Sequence, residues 1–133
     1  MDAKKYVQQI EKLRCQIKNK LEEKSMWRNM ATGVTSNMDG ERVQSSGSKD
    51  KMSSAVIEVV SIDEEINRLK DQVNEIIRTI EGLDNKSYDI LHLVYVQGFT
   101  LKEVQAHYKR SASWTHDTHK KALAELQTVL DEG

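Results

Sequence analysis

Two histidines, His116 and His119, stand three residues apart, with Asp117 between them and His107 a little upstream. On a helix that spacing sets both imidazoles on one face, within reach of one metal ion. The set has no His-Glu-x-x-His pattern, and the single cysteine, Cys15, supplies no thiolate cluster. Polar or phosphate-facing histidines are therefore expected, with no metal ligand and no cofactor. A second polar concentration is Asp39-Gly40-Glu41-Arg42 with Gln44-Ser45-Ser46. It lacks the P-loop lysine pattern and any nucleophile–base pairing, so it reads as a connector or partner-binding loop. No catalytic residue is assigned, and the chain is not expected to be an enzyme.

The third concentration reads as a nucleic-acid surface. Lys109, Arg110, Lys120 and Lys121 are suited to phosphates, and Ser111, Ser113, Trp114 and His116 to bases or backbone. Overall charge does not announce such a partner, because the chain carries a formal net charge of -1. Residues 100–133 hold five basic and five acidic groups, so local charge alone does not decide between a DNA-contacting helix and a packing module. Elsewhere the charges segregate. Residues 1–30 hold eight Lys/Arg against four Asp/Glu, and residues 52–99 hold four against nine. Segments of opposite sign are suited to lie against each other.

The elements that would position these groups are all helical. The chain has 133 residues, no proline, 38% hydrophobic and 31% charged residues. Without proline, long helices run uninterrupted. Residues 3–30 carry Tyr6, Ile10, Leu13, Ile17 and Leu21 at helical spacing. Residues 31–51 turn to linker chemistry. In residues 52–83, Met52, Ala55, Val59, Ile62, Ile66, Leu69, Val73, Ile76, Ile80 and Leu83 alternate steps of three and four. That is an a/d seam for a partner helix. An antiparallel hairpin of these two helices is expected, with Val59, Ile62, Ile66, Leu69, Val73, Ile76 and Ile80 also pairing between subunits as a homodimer or higher oligomer. The expected division is a helical arm over 1–85 and a three-helix module over 86–133.

Within the module, helices are predicted over 86–97, 101–108 and 112–130. Thr100 and Glu103 form a capping-box pattern, and Ser111 is a further N-cap candidate. A short capped helix, a turn and a longer helix make the helix-turn-helix pattern.

The stretch Tyr95-Val96-Gln97-Gly98-Phe99-Thr100-Leu101-Lys102-Glu103-Val104 resembles region four of bacterial sigma factors, and Lys121-Ala122-Leu123 resembles the close of that family's recognition helix. Met38-Asp39-Gly40-Glu41-Arg42-Val43-Gln44-Ser45-Ser46-Gly47-Ser48 resembles a linker of the ArpU-like (RinA-like) late-gene regulators of phages and prophages. The chain departs from the family pattern at Lys109, where glycine is usual, and at Arg110, Thr115 and Thr118, where apolar residues are usual. Asp117 stands near positions that are often basic.

The resemblance implies a phage or prophage transcriptional regulator that binds double-stranded DNA, with possible contact to host RNA polymerase. Residues 112–130 would be its recognition helix. The alternatives are a phage DNA-packaging component, favoured by a closed ring of subunits, and a protein-interaction module whose helix-turn-helix no longer binds DNA. The sequence shows neither a signal peptide nor an apolar run of membrane-spanning length, so a cytoplasmic location in a bacterial host is expected, with no membrane partner.

Overall fold

The structure, a computed structural model, describes residues 1–32 and 47–133. Most of the linker motif at 38–48 lies outside the described residues, including Asp39, Arg42 and Gln44. The fold is all-α. Its helices are α1 (Ala3–Thr32), α2 (Gly47–Glu81), α3 (Asn85–Leu91), α4 (Leu101–Tyr108) and α5 (Ala112–Glu132), and α3 continues as a π-helical turn, His92–Val96. No described residue forms a strand. Among the described residues, no helix is long and apolar enough to cross a membrane.

Contacts divide the chain into two compact units, Met1–Arg14 with Asp71–Gly133, and Cys15–Lys70. The division expected at residue 85 is not where the contacts divide. The reason lies in the first unit's core. Val7 and Ile10 from α1 and Ile80 from α2 are fully buried in that unit, as are Ile90, Leu91, Val104 and Leu126. The ends of both long helices thus belong to the same apolar core as the C-terminal helices. In this unit the Tyr6 hydroxyl meets Thr79 Oγ1 at 3.0 Å. The Thr79 hydroxyl is already donated to the Glu75 carbonyl, so Tyr6 donates.

In the second unit, Lys20 Nζ lies 3.0 Å from Glu65 and Lys24 Nζ lies 2.7 Å from Asp63. One index rises as the other falls, the order of antiparallel neighbours. The hydrogen bond that Lys20 donates to Glu65 is the largest influence raising the Lys20 pKa above its ordinary value. Leu21, expected on the buried stripe, is 48% exposed. At 3.6 residues per turn a run of four-residue steps drifts off the seam. Lys20, Lys24 and Trp27 hold the half-buried positions instead. Lysine stems cover apolar surface while their ammonium groups reach carboxylates.

Of the seven seam residues named for oligomerisation, Ile62, Ile66, Ile76 and Ile80 are buried within the single chain, and Val59, Leu69 and Val73 are half-buried. Among the described residues of α2, the large apolar side chains left exposed are Val56, Ile57 and Val60, on a different flank of the helix.

The helix expected over 86–97 is α-helical only to Leu91. Beyond it the turn widens, and Gln97 N–H donates to the His92 carbonyl, five residues back, at 2.9 Å. The Arg14 guanidinium donates to the Val96 carbonyl, satisfying an acceptor at this helix end. Gly98 at φ 82 then turns the chain, and Phe99 N–H closes onto the Leu93 carbonyl at 2.9 Å. The first residues of α3 lack a side-chain cap of their own. Glu125 of α5 serves instead, accepting from Asp84 N–H at 2.9 Å and from the Ser87 hydroxyl at 2.6 Å.

Candidate nucleic-acid interface

The start and end of α4 are both fixed locally. Glu103 N–H donates to Thr100 Oγ1 at 3.1 Å, and Thr100 N–H donates to Glu103 Oε1 at 2.9 Å, completing the expected capping box. At the far end Lys109 is left-handed, with φ 55 and ψ 49. Its N–H donates to the Ala106 carbonyl, and Arg110 N–H donates to the Gln105 carbonyl at 3.1 Å. This is a Schellman closure, which normally prefers glycine at the left-handed residue. The left-handed position is occupied here by lysine.

α5 begins at once. Ser111 is its N-cap, and its Oγ accepts from Trp114 N–H at 3.1 Å. That hydroxyl is engaged in capping. Thr115 is buried, and its hydroxyl donates to the Ser111 carbonyl at 2.9 Å, so the polar group inside the core has its partner. Ala122 and Leu126 continue the buried face, and α5 packs on α3 and α4.

The opposite face is open. Ser113, His116, Asp117, Lys120 and Lys121 are exposed, as are Lys109 and Arg110 before the helix. All of the residues named for DNA contact lie on this stretch, and Trp114 alone among them is half-buried. Tyr108 meets the Trp114 ring edge-on at 5.4 Å between centroids, and the Arg110 guanidinium lies 4.9 Å over it. Tyr108 contacts His107 in turn, which contacts Phe99. Burial raises the Tyr108 pKa, and the charge and hydrogen bonding of Asp89 add to it. Tyr108 thus supports Trp114, a contact that the sequence did not single out. The partners of Tyr108 are set by folding, not by a local pattern.

The two histidines of α5 separate in environment. His116 is exposed. His119 is half-buried, with Nε2 2.8 Å from the Tyr95 hydroxyl and its ring stacked on Tyr95 at 5.7 Å. Burial first, then the charges of Lys4 and His116, lower its pKa. Among the described residues no three His, Cys, Asp or Glu side chains are grouped to hold a metal ion. Gln97 Nε2 donates to His92 Nδ1 at 2.9 Å, across the π turn.

Comparison of the chain with protein-family models, with curated proteins and with solved structures returns no match.

Proposed function

We propose that the protein binds double-stranded DNA through a helix-turn-helix formed by α4 and α5, with α5 as the recognition helix, and acts as a phage or prophage transcription regulator. The observation that carries the reading is the open face of α5. It presents polar and cationic side chains directly after a turn fixed by a Schellman closure and a serine cap. A recognition helix needs its N-terminal residues free and its orientation fixed by the preceding helix. The resemblance to sigma region four, over residues 95–104 and 121–123, brackets that face, and it also raises contact with host RNA polymerase.

A protein-interaction role is the second reading. Asp117 in the middle of the open face supports it, since a carboxylate there repels phosphate. A DNA-packaging ring is a third, and particle size in solution separates it from a dimer. For a dimer, α2 offers the exposed Val56, Ile57 and Val60 among its described residues.

The test is selection from a randomised duplex pool, followed by fluorescence anisotropy across a salt series. Tight binding to one selected duplex, weakened by salt and by Lys120→Ala/Lys121→Ala, supports the recognition-helix reading. Equal, flat traces on every duplex at low salt, from folded protein, overturn it in favour of the interaction role.

A further inference from the structure

Arg110 differs from the other cations near α5 in having a ring beneath it. Its guanidinium carbon lies 4.9 Å over the Trp114 ring centroid. Trp114 is in turn held edge-on by Tyr108 at 5.4 Å between ring centroids. Arg110 is exposed and has no ion-pair partner among the described residues. A cation–π contact engages the face of the guanidinium and leaves its edge donors free. That edge is a planar fork suited to two acceptors side by side. A stacked arginine also gives up less side-chain freedom when it binds than a solvated one does.

Resting on the DNA-binding reading above, we propose that Arg110 is a pre-oriented fork that takes a paired set of acceptors on the duplex. Trp114 is its positioning residue. The acceptors are either two oxygens of one phosphate or O6 and N7 of one guanine, since both offer the same planar pair. Trp114 therefore acts through Arg110, and its half-buried ring is not itself the reader.

The test uses the full chain carrying Trp27→Phe, so that Trp114 is the one tryptophan, and the duplex selected from the random pool. Circular dichroism checks that each variant is folded. Arg110→Lys keeps the charge and loses the fork, and it is expected to weaken binding by about tenfold or more at fixed salt. Trp114→Leu is expected to weaken binding too, and to add little in the Arg110→Lys background. Trp114→Phe keeps a ring beneath the guanidinium and retains most of the affinity, which guards against a folding defect in the leucine variant. Substituting 7-deazaguanine at each guanine in turn, or a methylphosphonate at each phosphate, locates the acceptor. Only at that position does Arg110 lose its advantage over lysine. Arg110→Lys binding like the parent overturns the fork while the DNA-binding reading stands. Additive losses in the Arg110→Lys/Trp114→Leu double variant overturn the positioning role. A parent protein that binds no duplex overturns both readings.

Discussion

The Tyr95 hydroxyl lies 2.8 Å from Nε2 of His119, and the two rings stack at 5.7 Å. This pair ties the π turn to α5 inside the first compact unit. It also gives the fold a dependence on pH. In the unfolded chain His119 titrates near its ordinary value of 6.5, and in the fold burial, Lys4 and His116 hold it lower. Between the folded and the ordinary value the unfolded chain binds more protons. Stability contributed by neutral His119 is therefore present above the ordinary value and is lost as pH falls through the folded one. The melting temperature is expected to drop between about pH 7.5 and about pH 5.5, and to drop less in His119→Gln. Parallel melting profiles for the two proteins would remove His119 as the cause.

Glu125 is expected to be worth more to the fold than its half-exposed position suggests. It takes hydrogen bonds from Asp84 N–H and the Ser87 hydroxyl, and Ser87 is 8% exposed. Glu125→Ala leaves both donors without their partner, a loss of about 1–3 kcal/mol. Ser87→Ala removes one donor and leaves the Asp84 contact, so it should cost less. Urea unfolding of the two variants checks the order, and equal costs would mean that Asp84 finds water instead.

Thr115 is a polar residue on the buried face of α5, and its hydroxyl is satisfied by the Ser111 carbonyl. That carbonyl also receives Thr115 N–H at 3.1 Å. Thr115→Val therefore orphans nothing and nearly keeps the shape, so stability should shift by less than about 1 kcal/mol. Thr115→Ala deletes a buried methyl group as well and should be the more damaging. Chemical denaturation that found valine as costly as alanine would show the hydroxyl, not the volume, to matter.

How far these features were legible in the sequence depended on how local their causes were. The bounds of α4 follow from Thr100, Glu103 and Gly98, all within the element or beside it, and the predicted 101–108 agrees with the structure. The π turn was not legible. Its Val96 carbonyl is taken by Arg14, 82 residues away in the chain, and no local pattern encodes that contact. The α2 seam was legible as a buried stripe, but spacing does not say which helix covers it. The same limit applied to α1, where Lys20 and Lys24 hold positions that a hydrophobicity pattern skips. At the candidate interface the open face of α5 could be read directly. The support of Trp114 by Tyr108 required the packing of α4 against α5.

Asp117 provides a sharper check on the DNA-binding reading than removal of a lysine. It is exposed between His116 and Lys120 on the open face. If that face meets phosphates, Asp117→Asn removes a repulsion and should tighten binding several-fold, an effect that fades as salt rises. Anisotropy at low and high salt reads this directly. An unchanged or weakened affinity would place the DNA elsewhere or remove it.

Lys109 separates what the turn needs for folding from what the interface needs for binding. Its φ of 55 lies in the left-handed region, which costs a residue with a Cβ roughly 1 kcal/mol that glycine does not incur. Its ammonium group is exposed at the head of the open face. Lys109→Gly should therefore raise folding stability by up to about 1 kcal/mol, with part of the gain offset by the greater freedom of glycine in the unfolded chain. The same change should weaken DNA binding and lower the salt dependence by about one ion, because one phosphate-facing cation is gone. Lys109→Asn keeps a residue that tolerates the left-handed conformation but drops the charge, so it should share the binding defect with a smaller gain in stability. Thermal unfolding and a salt series on the same three proteins measure both quantities. A glycine variant that is more stable and binds with the parent's salt slope would show that Lys109 shapes the turn without touching the duplex.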